Sequence, residues 1–430
     1  MTETDSASRD GFFPATALLL AVLVLAGGTA RAANDLLGLL SALPLLYLLL
    51  RGVRAQDLDW PARLALALYG LAWLQLVPVP PAIWTALPGR QLAVDILATM
   101  GMAPGWRPLA LDPGSAAIGL VSIAAPLVLL VGFARLTRQE QSKLLLGIVI
   151  IAIATAILGV VQRVTGGLNI YDADHAGYAT GLFANRNHHA SFLACAILIV
   201  PAVVPSTRQK WGLWIVAGIA LGLFAGILAT TSRAGIVLGA GALGASLVAA
   251  AQPRKAVLLA GGAVMIVAGA ALALTPALAP VFERFADAAQ DQRATMARDT
   301  LVAAQAFWPW GSGWGSFVPV YMAFEDLDTM AGRYVVAAHN DYLQLILEGG
   351  IFGLVVAIAG PLASALVAAR LWRDKAPGPL WCLWGVGLVL LLHSAVDFPL
   401  RTGALAALLA IAFAAKENWQ APLPARARAD

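Results

Sequence analysis

Apolar stretches of about 17 to 25 residues alternate with short polar breaks from Phe13 to Ala415. Each is long enough to carry an α-helix across a hydrocarbon core of roughly 30 Å. Twelve such stretches stand out, at 13–30, 35–50, 62–79, 115–134, 144–163, 190–206, 211–230, 234–251, 256–278, 342–369, 378–395 and 402–415, the second and last being the shortest. The pattern predicts an all-α, polytopic integral membrane protein of about 12 transmembrane helices. The longer polar segments, 80–114, 164–189 and 279–341, all fall on one side of this arrangement. Connections on the other side are mostly a few residues long, too short for a nucleotide-binding or catalytic domain. Within the third segment, 288–307 is expected to be a helix carrying Arg293 and Arg298. Trp308-Pro309-Trp310-Gly311-Ser312-Gly313-Trp314-Gly315 then reads as a turn-rich loop whose tryptophans suit the headgroup layer.

Composition agrees with that pattern: hydrophobic residues make up 60% of the chain and charged residues 12%, which a soluble domain of this size does not accommodate. With the N-terminus cytoplasmic, 17 of the 28 Lys and Arg crowd the short connections, from Arg9, Arg51 and Arg54 to Lys416, Arg426 and Arg428. That positive-inside asymmetry puts the long polar segments, including the large 279–341 loop, on the outer face, which is the periplasm if the membrane is the inner membrane of a Gram-negative bacterium. The net charge of +4 thus reports topology and not nucleic acid. The first stretch, preceded by Arg9 and followed by Ala30-Arg31-Ala32, also has the outline of a secretory signal, whose removal would leave the orientation of the rest unchanged. Cys195 and Cys382 lie among apolar neighbours and read as small buried hydrophobes. No repeat of fixed period divides the chain, so 1–430 is taken as one integral domain.

Chemistry is confined to a few polar side chains near the outer helix ends. An ionised group in the bilayer centre costs roughly 2.5–3.5 kcal/mol on insertion scales, so such groups near membrane depth line a cavity or meet a partner. Asn185 and Asn187, with His188 and His189, stand at the mouth of the sixth stretch, where they either cap the helix or bind glycan hydroxyls. Arg233 follows Thr230-Thr231-Ser232 in a very tight turn, and reads either as a lipid-anchoring cation or as a guanidinium for a diphosphate. Arg293 has the same two readings. His339, with Asn340 and Asp341, either caps the tenth stretch or serves as a general base, the usual role of an imidazole near neutral pH. His393 and Asp397 are four apart, one face of a helix, where pairing for stability and a role in chemistry are both open. The lone triplets Asp172-Ala173-Asp174 and Asp326-Leu327-Asp328 are weak as metal sites.

In order, Gly181-x-Phe183-x-Asn185-x-Asn187-x-x-Ala190, Thr231-Ser232-Arg233, Arg293 ahead of Gly311-x-Gly313, and His339-Asn340-x-x-Leu343 with Glu348-x-Gly350-x-x-Gly353 resemble the O-antigen ligase and polysaccharide polymerase superfamily of membrane glycosyltransferases. The resemblance covers roughly 110–415, and Trp106-Arg107-Pro108, Leu111-Asp112-Pro113 and His393 to Arg401 look like features of one bacterial branch. It implies a GT-C-like fold, an undecaprenyl-diphosphate-linked glycan as donor, a glycan or lipid A core as acceptor, and neither cofactor, metal nor nucleotide. It also implies diphosphate binding by Arg233 and Arg293 and an acceptor-side role for His339, with Asn185, Asn187, Asn340, Glu348, His393 and Asp397 supporting. The compressed Pro309-Trp310-Gly311 departs from the family spacing and leaves Arg298 as an alternative to Arg293. A protein O-oligosaccharyltransferase shares the chemistry. A transporter of lipid-linked glycan is the alternative from another class, disfavoured because the polar groups gather at one face and not at the midplane.

Overall fold

The computed structural model describes residues 11–29, 31–171, 177–204, 211–251, 292–328 and 334–415. The expected ninth span at 256–278, Ala30 and the Asp172–His175 segment lie outside these residues, as do Arg9, Arg208, Lys210, Arg254, Lys255, Lys416, Arg426 and Arg428. The described residues are overwhelmingly helical: α1 Phe12–Ala26, α2 Ala32–Gly52, α3 Trp60–Ala72, α4 Gln91–Thr99, α5 Pro113–Phe133, α6 Arg138–Thr165 and α7 Arg186–Val203. They continue with α8 Gly212–Thr230, α9 Arg233–Ala251, α10 Arg293–Ala306, α11 Phe317–Phe324, α12 Asp341–Arg373, α13 Gly378–His393 and α14 Gly403–Ala414. One antiparallel ribbon joins β1 Pro78–Val79 to β2 Arg107–Pro108. Six of these helices (α2, α5, α6, α8, α9 and α12) are long and apolar enough to cross a membrane, and α1, α13 and α14 are shorter apolar helices. The chain is an all-α integral membrane protein.

Helix ends follow local chemistry. Asp112 accepts from the Ser115 N–H at the start of α5, and Thr137 with Glu140 forms a reciprocal capping box on α6, which Gly166 ends in the left-handed conformation. The third apolar stretch yields a shorter helix than its hydrophobicity predicts. Trp73–Leu76 tightens to a 3₁₀ turn and Pro78, Pro80 and Pro81 withhold the N–H groups that a longer helix needs. The second, expected to be short, instead runs the 21 residues of α2.

Helix α7 is the hub of the bundle. Every residue from His188 to Pro201 is buried, and the helix contacts α6, α8, α9 and α13. A helix apolar all round is one surrounded by protein. Outward faces of the other spans keep large apolar side chains exposed, among them Leu50, Ile157, Val237 and Leu362, as a lipid-facing surface does. A second, smaller core of Ala303, Ala304, Phe307, Phe317, Val320, Tyr321, Ala338 and Leu347 packs α10 and α11 over the start of α12.

The tenth stretch, expected as one continuous span, is broken. Gly350 has φ 58° and ψ −132°, which divides α12 into a short limb, Asp341–Gly349, and a long limb that begins at Ile351. The 308–316 loop fills the gap. Ile351 N–H donates to the Pro309 carbonyl, while the carbonyls of Leu347 and Glu348 accept from the N–H groups of Ser312 and Gly313 at 2.9 and 2.8 Å. Buried Gln75 completes the joint, donating to the Glu348 carbonyl and accepting from Trp314 N–H. Arg90, also buried, donates to the carbonyls of Leu109 and Gly311; burial lowers its pKa to about 10, so it stays charged at neutral pH. The Trp308–Gly315 loop is therefore a splint for α12. Trp314 is folded in, its indole N–H donating to the Ala72 carbonyl, and only Trp308 and Trp310 keep the exposure expected at a headgroup layer.

A Cβ at Gly350 would strike the Pro309 carbonyl, and the φ/ψ pair alone costs an L residue about 1–3 kcal/mol. Gly350→Ala should lower the unfolding temperature in detergent clearly, whereas Gly244→Ala, which adds its methyl to open space on α9, should leave it equal or higher. Equal unfolding temperatures for the two variants would contradict the splint.

Candidate functional site

The ends of α7, α10, α12 and α13 meet around one carboxylate. Asp397, which follows α13, has a fully buried side chain. Its Oδ2 accepts from Asn187 Nδ2 at 2.7 Å, and its Oδ1 lies 3.0 Å from His339 Nδ1 and accepts from the Phe398 N–H. Arg293 Nη2 stands 3.9 Å from Oδ2 and His393 Nε2 stands 4.0 Å from it. Because an ionised carboxylate only accepts, His339 donates through Nδ1–H, an arrangement that in the neutral ring puts the lone pair on Nε2. A side chain 26% exposed leaves that ring reachable. Burial alone would raise the Asp397 pKa, but the hydrogen bond from His339 and the surrounding imidazoles hold the carboxyl well below the usual range. A depressed folded value stabilises the fold above an ordinary aspartate pKa of ~3.9 and is lost only as pH falls through the depressed value, so the pairing persists at neutral pH.

His339 has a left-handed backbone, φ 49°, uncommon outside glycine though tolerated by His. Both flanks are pinned. Ala338 N–H donates to Gln344 Oε1, Asn340 Oδ1 caps the short limb by accepting from Leu343 N–H, and Asp341 N–H donates to the Ser394 carbonyl. The Phe398 ring lies 5.0 Å from both the His339 and the His188 ring, edge to face.

Arg233 opens α9 two residues after a left-handed Thr231, φ 54°, with Ser232 Oγ accepting from Gly235 N–H as a cap. Arg186 steadies this turn by donating to Thr231 Oγ1 at 3.0 Å while its guanidinium stacks 4.2 Å above the Tyr178 ring. Arg233 borders a groove of about 300 Å³ with Ala234, Val237, Leu238, Leu392 and Val396. Val396 precedes Asp397, so the groove that Arg233 borders lies beside the residue that Arg293 and His339 reach. Of the two arginines on α10, Arg293 reaches Asp397 and Arg298 is exposed.

Of the other expected residues, Asn185 caps α7 by accepting from the Asn187 N–H. Glu348 is buried, its Oε1 accepting from Phe317 N–H and Gln344 Nε2. His393 lies within the bundle with Nδ1 engaged by the Ser191 hydroxyl. The spacing that paired His393 with Asp397 is only partly met, since Asn187 and His339 are the closer partners. His188 and His189 diverge: the first faces Phe398, and the second places Nδ1 on the Ala179 carbonyl. Asp326 and Asp328 form a local turn, Asp328 N–H donating to Asp326 Oδ1, and no cluster of three His, Cys, Asp or Glu capable of holding a metal occurs among the described residues. Sequence reasoning gave no separate role to Gln344, Ser394 or Arg186, and gave Asp341 only a share in capping the tenth stretch; the Asp341–Arg401 contact joins residues 60 apart in the chain.

Residues 217–358 match the family model described as O-antigen ligase. The matched segment contains Arg233, Arg293, His339 and Glu348. No curated protein and no solved structure matches the chain.

Nitrogen NMR of selectively labelled protein reads the tautomer directly. Neutral His339 should carry its proton on Nδ1, and Asp397→Asn, which replaces an obligatory acceptor by an amide, should abolish that preference. An Nε2–H tautomer in the unsubstituted protein would contradict the geometry.

Proposed function

We propose, from the place of this chain in the O-antigen ligase and polysaccharide polymerase superfamily, that it is a metal-independent, inverting membrane glycosyltransferase. Its donor is an undecaprenyl-diphosphate-linked glycan and its acceptor a glycan or lipid A core, joined on the periplasmic face of the inner membrane. The observation that carries this reading is the attachment of His339 and Arg293 to one buried carboxylate, next to the groove that Arg233 borders. A base and two phosphate-binding forks are the groups that such a transfer requires.

In this reading the diphosphate lies between Arg233 and Arg293, whose planar guanidinium groups pair with phosphate oxygens in two places. The acceptor hydroxyl approaches His339. Its oxygen bonds to the anomeric carbon from the side opposite the diphosphate, its proton passes to Nε2, and the carbon–oxygen bond to the lipid diphosphate breaks with the electron pair leaving on phosphate. Arg233 and Arg293 neutralise charge growing on that oxygen. Asp397 stabilises the imidazolium that forms and keeps the ring from turning.

The test uses purified protein with undecaprenyl diphosphate oligosaccharide, with and without lipid A core, and product size and lipid attachment read on one gel. His339→Ala should lose product by about 10²- to 10⁴-fold while inserting into the membrane normally. Arg293→Gln should lose about 10²- to 10³-fold, and Arg298→Gln should stay within a few-fold. A fully active His339→Ala protein would remove the imidazole from the reaction.

A further inference from the structure

We propose that Arg401 is the positioning residue that holds His339 in its reactive place, acting through the short limb of α12; the proposal rests on the reading of His339 just given. Asp341 and Glu348 are seven residues apart, close to two helical turns, and so share one face of that limb. Both are buried. Arg401 reaches both ends of the limb, with Nε 3.3 Å from Asp341 Oδ1 and Nη2 3.9 Å from Glu348 Oε2.

The limb is tied to His339 on both sides. Glu348 accepts from Gln344, whose Oε1 in turn accepts from the N–H of Ala338, the residue before His339. Asp341, two residues after His339, accepts from the Ser394 hydroxyl and donates its N–H to the Ser394 carbonyl. Ser394, Asp397 and Arg401 thus belong to one eight-residue strap that grips the limb at its start, the imidazole at Nδ1, and the limb again at both ends. A lysine offers one point charge where the guanidinium offers a fork long enough to span two carboxylates. Without the cation, two buried carboxylates share a helix face with no other cation paired to them among the described residues, beside a third at Asp397. Losing the cation leaves the limb without the fork that ties its two ends together, and any shift of the limb carries the left-handed His339 with it.

The experiment compares Arg401→Gln, Arg401→Lys and the double variant Arg401→Gln/Asp341→Asn with the unsubstituted protein, all in the same detergent. Arg401→Gln should lower kcat by about 10- to 100-fold with the donor KM within about threefold, because the imidazole is misplaced while Arg233 and Arg293 remain. Arg401→Lys and the double variant should each recover part of kcat. The imidazole of His339, which faces Asp397, Arg293 and His188, is titrated by NMR in the same proteins, with His339→Gln supplying the assignment. Two uncompensated acids nearby favour the imidazolium, so the His339 midpoint should rise in Arg401→Gln and fall back in the double variant.

An unchanged midpoint in folded Arg401→Gln, or a loss of activity no larger than the loss of folded protein, would overturn the proposal. If Arg401→Gln does not fold, the midpoint and kcat of Arg401→Lys decide in the same way. Should the unsubstituted protein transfer no glycan, the reading of its function fails, and the His339 midpoint still judges whether Arg401 positions that ring.

Discussion

Asp397 is a charge with no access to water, and the arrangement around it follows from that single constraint. Taking a carboxylate out of water is tolerable only when its lone pairs are matched by donors and its charge by cations. Here Asn187 arrives from α7, His339 from the entry to α12 and Arg293 from α10, with the neighbouring Phe398 N–H completing the shell. Three remote segments are thereby brought to one point. The groups that satisfy the carboxylate are also the groups that chemistry on a lipid diphosphate would use, so stability and placement of the site come from the same contacts.

The break in α12 serves that convergence. A continuous helix through 350 would have to satisfy its own ladder, leaving the 308–316 loop no place to dock. Interrupting it at Gly350 frees the carbonyls of Leu347 and Glu348, and Ser312 and Gly313 take them. The loop that follows α10 is thereby fastened to the limb that follows His339. Arg293 and His339 are set relative to one another by backbone hydrogen bonds and not by long side chains alone. Irregular backbone near membrane depth persists where protein covers it and all its polar groups are paired.

Much of the bundle was legible in the chain because membrane thickness sets helix length, and α5, α6, α8, α9, α13 and α14 fall close to their apolar runs. The early end of α3 was not, since the residues from Trp73 to Val79 are as apolar as a helix and only the prolines beyond them turn the chain. The kink was also hidden, because Gly349-Gly350 inside an apolar run reads as a helix that tolerates glycine. His339, Arg233 and Arg293 stood out in the chain as polar groups in or beside apolar stretches, and the fold brings His339 and Arg293 to one carboxylate. The principal partner of Asp397 was not legible, because an i, i+4 spacing points to His393 and no local rule reports a neighbour 58 residues away. The pairing of Arg401 with Asp341, 60 residues apart, escaped for the same reason.

The proposed function requires one spatial arrangement, a diphosphate head between Arg233 and Arg293 with the sugar facing His339. A structure of the protein with an undecaprenyl diphosphate glycan tests it most directly. The account predicts phosphate oxygens within hydrogen-bonding distance of both guanidinium groups, the lipid chain entering along the groove between α9 and α13, and the anomeric carbon presented to Nε2 of His339. A diphosphate seated elsewhere in the bundle, touching neither arginine, would contradict it.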